Sequence, residues 1–304
     1  MANGSIVTTL GKHVILNRSF KSTPDYTAMS KFKIGISNGT PNVADTNLDV
    51  AIPISNGTVN DDGSNNMTGS SGGDNSTNNT SRYKEGAGVS DATAQNLIAN
   101  NGNATKIWTI ADLSSAGTNI TATKPFGLWV YIKDATAYNK LLSAGTALEI
   151  KLGSDTSNYY SYTRTAAQLS TGWNWVTSNT VNVEDLTETG TVAGNVDTFI
   201  IEIVTNNATD TFAAGDVVYD LLRTWATSDL TKTYVTNYPA LDETNLEVEI
   251  RGFITSVEAN GFDVNGYGDF NTDSTNKFTT EDTFTAESKS STDQFTFVSK
   301  IRII

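Results

Sequence analysis

The chain has 304 residues, of which 38 % are hydrophobic and 17 % charged, with a net charge of -13 and no cysteine. That length suits one large domain or two ordinary ones. The acidity excludes electrostatic attachment to nucleic acid or to anionic membrane, and the missing cysteines exclude disulfides and thiolate metal sites.

The hydrophobic deficit is filled by Asn, Thr, Ser, Gly and Asp, a mixture that favours turns and β-branched strands over helices. No run of about 18 apolar residues occurs, so no membrane span is expected. The stretch MANGSIVTTLGKHVIL has no basic region followed by an apolar core, so no signal peptide is expected.

In chain order, Ile6-Val7 and Val14-Ile15-Leu16 suit a short strand or a helical turn leading to Phe20. Phe32–Ile36 alternates and reads as a strand, with a tight turn marked by Asn38-Gly39 and Pro41. Asp45 suits the cap of a short helical segment leading to Leu48. From 56 to 81 the chain is almost free of apolar residues and reads as a flexible, solvated linker. Asp61 and Asp62 offer hard oxygen ligands suited to calcium there, although no liganding carboxylate recurs at a fixed spacing.

Residues 106–110 open a strand-rich region. Phe126, Leu128, Val130 and Ile132 alternate with Gly127, Trp129 and Tyr131, which argues a half-buried strand. Leu148–Leu152 and Tyr159–Arg164 flank the turn formers 153–158 and read as an antiparallel hairpin. Gly172–Val176 begins another strand at a turn, and 199–204 is apolar on both sides except at Glu202, as in a central strand. Val217–Arg223 closes the region. A second low-apolar connector follows Trp225, and Leu246–Ile254 alternates again.

Leu128-Trp129-Val130-Tyr131-Ile132, the run from Ile150 to Tyr160, and Leu169 to Asn174 together resemble the jelly-roll modules of carbohydrate-binding and lectin-like proteins. The resemblance covers roughly 80–225 and implies a β-sandwich. It also places Asp220 where such modules often supply a structural calcium ligand; a carboxylate hydrogen-bonded within the sheet is the equal alternative. The two chain ends carry a second resemblance, to a β-rich module common in tailed-bacteriophage virion proteins. It rests on Phe32, Ile34, Gly35, Gly39, Pro41, Asp45, Thr46 and Leu48 at one end. At the other it rests on Glu258-Ala259-Asn260-Gly261, Tyr267–Asn271, Phe284–Lys289 and Asp293 to Ile303. Ser37 and Asn38 depart from the glycines more usual in that module.

Most enzyme chemistry lacks its parts. Ser/His/Asp catalysis would rest wholly on the single His13, better read as a surface or packing histidine. No phosphate-binding or dinucleotide fingerprint and no zinc-spaced histidine pair is present. Glycan binding needs only an aromatic face flanked by amides and carboxylates. The glycan-contact candidates are Asp155, Asn158, Tyr159, Tyr160 and Trp175, while Trp129 and Trp173 read better as core. Tyr159 and Tyr160 point to opposite faces, so a given side can expose one of them.

The expected fold is therefore all-β: a jelly-roll sandwich, residues 83–227, inserted into a smaller β-rich base domain. Residues 1–58 and 245–304 form that base, with polar connectors at 59–82 and 228–244. The second resemblance implies a non-enzymatic structural protein of a tailed-phage virion, assembled in the host cytoplasm. A tail appendage or fibre-type adhesin attaching to host-surface glycans is the leading expectation. A capsid decoration or head-fibre protein is the alternative, followed by a free carbohydrate-binding protein or a glycan depolymerase. Expected partners are copies of itself, as in a trimer, other virion proteins and host glycans, with no nucleic acid and no membrane insertion. No cofactor beyond structural calcium at Asp220, or at Asp61 and Asp62, is expected.

Overall fold

A computed structural model of the chain describes residues 4–36, 40–55, 57–84, 93–116, 118–272 and 278–302. Strand makes up 45 % and helix 10 %, so the protein is all-β. The chain divides into two compact units, one from 1–56 and 227–304, the other from 57–226.

The first unit begins with β1 (Gly4–Val7), helix α1 (Thr9–Phe20), β2 (Met29–Ile36) and β3 (Val50–Ala51). The second contains β4 (Thr58–Asp61), β5 (Thr68–Ser71), β6 (Thr77–Asn79), β7 (Ala94–Asn96), β8 (Thr105–Ile110) and β9 (Phe126–Ile132). It continues with β10 (Thr146–Gly153), β11 (Tyr159–Thr165), β12 (Gly172–Thr177), β13 (Thr187–Thr189), β14 (Thr198–Val204) and β15 (Val217–Thr224). The chain returns to the first unit with β16 (Lys232–Thr233), β17 (Ala240–Asp242), β18 (Glu247–Ile254), β19 (Asp263–Asn271), β20 (Phe278–Ser288) and β21 (Phe295–Arg302).

In the second unit a sheet ordered β13-β11-β10-β14-β8-β5 packs on a sheet ordered β12-β9-β15-β7-β6, with β4 also paired to β15. The alternating residues meet between them. Trp108, Leu148, Ile150, Leu152, Phe199 and Ile201 from one sheet join Leu128, Val130, Ile132, Val217 and Tyr219 from the other in a single cluster. Burial of each such side chain contributes about 1.5–3 kcal/mol. The β10–β11 hairpin has the register Gly153↔Tyr159 through Leu148↔Arg164. Strand β14 is central, with Ile200 buried on its second face and Glu202 held by Lys151 at 2.6 Å. Strand β15 also lies inside its sheet, between β9 and β7, so it closes the unit in sequence and not at an edge.

The segment 59–82, expected as a connector, instead includes most of β4 and all of β5 and β6, paired into both sheets. Backbone ladders and side-chain amides and hydroxyls do here what apolar burial does elsewhere. Asn60 Nδ2 donates to the Thr118 and Asn119 carbonyls. Ser76 Oγ accepts from Met67 N at 2.6 Å and donates to Gln95 Oε1 at 2.7 Å. Met67 supplies a buried apolar anchor.

In the first unit a sheet ordered β1-β20-β19-β2-β16, with β3 on β2, packs on a three-stranded sheet β17-β18-β21. Phe297 of β21 contacts Tyr267, Phe284 and Phe32, with ring centroids 5.2, 6.0 and 6.3 Å away. The N-terminal segment forms both a strand and a helix. Thr8 caps α1 by accepting from Gly11 N at 3.0 Å, and its hydroxyl donates to the Phe278 carbonyl at 2.6 Å. Gly11 is required by close approach, since a Cβ there would stand 2.2 Å from the Thr279 oxygen. Asp45 does not cap a helix. Its carboxylate accepts from Asn42 N at 2.6 Å and closes a local turn. The expected Asn38-Gly39 turn lies outside the described residues. Within 228–244, also expected as a connector, β16 pairs with β2 and β17 with β18.

Candidate functional site

Period-two alternation sends every second residue of β9 and β12 away from the sandwich core. Trp173 lies opposite Tyr131 and Trp175 opposite Trp129, so four aromatic rings share the outer face of one sheet. Trp129 contacts Trp175 at 5.0 Å and Trp173 at 6.4 Å, and Tyr131 contacts Trp173 at 5.3 Å between centroids. Trp225 extends the row by stacking on Trp175 at 5.9 Å. Trp129 is buried, as expected, although on the outer face and not in the cluster between the sheets, whereas Trp173, expected in the core, is not. Strand β9 is buried on both faces, leaving Trp129 covered, whereas Trp173 on the edge strand β12 stays half-buried.

Three cations sit on this aromatic row. Arg82 lies 4.6 Å above the Tyr131 ring and also donates to the Tyr131 hydroxyl. Lys84 Nζ lies 4.5 Å from the Trp129 ring centre, and Arg223 lies 5.1 Å from that of Trp175. Such contacts contribute about 0.5–2 kcal/mol each. Arg82 also lines a polar groove of about 470 Å³, together with Asn78, Asn79, Asn96 and Lys133. Asn79 Nδ2 donates to Asn96 Oδ1, and Asn96 Nδ2 to Thr77 Oγ1, so the amides are oriented before any ligand arrives. Lys133 is held by Asp216 at 3.0 Å, which raises the lysine's pKa. Chemically, Arg82 joins an aromatic row to a groove of oriented amide donors and acceptors.

The glycan candidates read from sequence do not converge. Asp155 Oδ1 accepts from Ser157 N and Asn158 N, and Oδ2 from Asn158 Nδ2, so the hairpin turn uses the carboxylate itself. Those bonds hold its pKa below the ordinary aspartate value. Asn158 Oδ1 accepts from Thr191 N. Tyr159 stacks under Lys151, while Tyr160 turns to the opposite face and packs against the core. Trp175 belongs to the other sheet, half-buried like Trp173, and contacts Trp129, Trp225 and Arg223. Arg82 was missed because it reaches Tyr131 from far along the chain, and the amides of β6 and β7 because they are brought together by non-local pairing. Their only sequence signal is the density of Asn in 75–79. His13 is exposed on α1.

Asp61 and Asp220 do come together, across the turn at Gly63. Gly63 N donates to Asp61 Oδ1 at 2.8 Å, and a Cβ on Gly63 would stand 2.4 Å from Asp220 Oδ1. Asp220 also accepts from Lys84 N at 2.6 Å. Burial lifts the Asp61 carboxyl from 3.8 to about 6. Arg223 is fully buried beside Asp220, and desolvation lowers its pKa to about 10. Calcium takes six to eight oxygens. Asp61 and an Asp220 carboxylate beside the buried Arg223 fit that requirement incompletely, and Asp62 is engaged by Ser64 in its own turn. Among the described residues no group of three or more acidic or histidine side chains is arranged to hold a metal ion. Among them, too, no helix is long and apolar enough to cross a membrane. No protein-family model matches the chain, and comparison with curated proteins and with solved structures finds no match.

Proposed function

We propose that this chain is a non-enzymatic attachment protein, a tail appendage or fibre-type adhesin of a tailed-phage particle, whose inserted sandwich contacts a surface glycan. The observation that carries the glycan part is Arg82, which touches the Tyr131 ring of the Trp173–Tyr131 pair and also lines the groove of Asn78, Asn79 and Asn96. The aromatic pair meets the apolar side of one sugar residue, and the amides and Arg82 meet hydroxyls or an acidic substituent of neighbouring residues in the same chain. The virion part rests on the likeness of the chain ends. The two-ended unit would hold to the particle and to further copies of the chain, and several weak sites on one particle would act together. No catalytic role is assigned to any residue.

The test is binding of the full chain to an array of bacterial surface polysaccharides, with Trp173→Ala as the informative variant. A loss of about tenfold or more for this variant supports the site, and unchanged binding removes it. Immunolabelling of purified particles separates the locations. Label on the tail supports the adhesin, label over the capsid supports the decoration protein, and no label on intact particles refutes the virion reading.

A further inference from the structure

The sandwich of the first unit is unfinished along one side. Its three-stranded sheet ends at β21, which pairs along all eight residues with β18 and, among the described residues, with no other strand. The facing sheet ends at β1, which pairs with Thr280–Thr283 of β20 and, among the described residues, with no other strand. Gly252 of β18 lies against Phe32 of β2, and Phe297 of β21 lies over Tyr267 of β19 and Phe284 of β20. The smaller sheet therefore stops one strand short of covering β1.

A groove of about 520 Å³ runs into that gap, lined by Tyr267, Phe284, Phe295 and Phe297. A second opening continues it past Ile6, Val7 and Ile301, and the two share Ser5, Asp282, Ser299 and Lys300. Phe284, Phe295, Phe297, Ile6, Val7 and Ile301 are each left partly exposed where a closed sandwich would bury them. The seam thus offers two unpaired backbone edges and an apolar floor about one strand wide, and strands lie about 4.8 Å apart. Its charge is acidic. Asp282 and Glu287 line it, whereas Lys300 and Arg302 of β21 are already held by Glu247 at 2.7 and 3.5 Å.

We infer that this seam accepts one extended, basic strand of a different polypeptide, which adds to the free edge of β21 and lays alternate apolar side chains on Phe284, Phe295 and Phe297. Strand addition takes its affinity from main-chain hydrogen bonds and its selectivity from the pockets beneath alternate side chains. The basic character follows from Asp282 and Glu287, and the net charge of -13 makes a second copy of this chain the poorer occupant. The inference stands apart from glycan binding.

The experiment uses the full chain and three fluorescent peptides of about nine residues, the length that spans β21 at about 3.3 Å per residue. The first alternates valine with lysine and threonine, the second replaces lysine by glutamate, and the third carries central prolines. The expected result is saturable binding of the first peptide, new amide-exchange protection over 4–7 and 295–302, and no binding of the other two. Glu287→Lys, an exposed position, weakens the first peptide about tenfold, and unchanged exchange in β18 and β19 shows that the fold is intact. Absence of binding at about 1 mM overturns the inference. Equal binding of the glutamate or proline peptide also overturns it, as does self-association that protects the same segments without peptide.

Discussion

Asp61 provides a quantitative test of the second unit's electrostatics. Its carboxyl is 1 % exposed, and burial raises it from 3.8 to about 6. The folded state therefore holds this proton more tightly than the unfolded chain. The stabilisation is complete below about pH 4 and is lost as pH rises through about 6. A shift of about two units at about 1.4 kcal/mol each amounts to roughly 3 kcal/mol. The exposed carboxylates Asp112, Asp134 and Asp155 have lowered values and act in the opposite sense, but only below the ordinary aspartate range.

All five tryptophans lie in the second unit, so urea unfolding followed by tryptophan emission reads that unit alone. The midpoint should fall steadily from pH 4 to pH 7. Asp61→Asn keeps an acceptor for Gly63 N while removing the titration, so its profile over this window should be flat. Its absolute stability at pH 7 is less informative, because the new amide N–H replaces a carboxylate oxygen in a buried site that also holds Tyr219. A wild-type midpoint that is flat or rises from pH 4 to pH 7 would refute this reasoning, as would an Asp61→Asn profile with the wild-type slope.

In the first unit, Asp269 accepts from Tyr267 at 2.8 Å and Thr280 at 2.5 Å, and burial raises it to about 6; burial and the neighbouring Asp45 raise Glu281 to about 8. Amide-exchange protection of β19 and β20 should therefore decline from pH 5 to pH 9, after correction for intrinsic exchange. Gly127→Ala places a Cβ 2.3 Å from the Trp175 ring and should cost about 1–3 kcal/mol, seen as a lower tryptophan-detected midpoint. Gly11→Ala should detach α1 at a similar cost, exposing Val14 to exchange at its amide while leaving the tryptophan signal unmoved. Calcium at about 1 mM should leave the tryptophan-detected midpoint unchanged, because Arg223 already supplies positive charge beside Asp220; a rise lost in Asp61→Asn would show a cation bound there.

Strands β9 and β10 were legible because apolar residues recur at period two on a buried face, β14 because it is apolar on both faces except at Glu202, and β12 because its tryptophans recur at period two after a turn. Strands β4, β5 and β6 were not, because TVND, TGSS and TNN have almost no apolar side chain to register against a core. They are strands because their partners β15, β8 and β7 present ladders to them, information held elsewhere in the chain. The site divides in the same way. Alternation brought Trp129, Tyr131, Trp173 and Trp175 to one face, but only the fold shows that face to be the outer one. The Asp155–Asn158 run looked like a sugar-binding turn because Asp and Asn suit both tasks. Its acceptors are taken up by N–H groups two and three residues ahead, which is the ordinary behaviour of a turn aspartate.

The inserted unit enters at Gly57 and leaves at Ala226, and its first and last strands lie side by side, with Thr58 opposite Thr224. It is thus tethered by two covalent crossings where a terminal domain would have one. A protease that nicks either crossing leaves the unit attached through the other, so release requires two cuts. Tension applied to the inserted unit is divided between two peptide chains leaving from neighbouring strands. Either crossing alone keeps the unit in place when the other is pulled or cut, without any added contact.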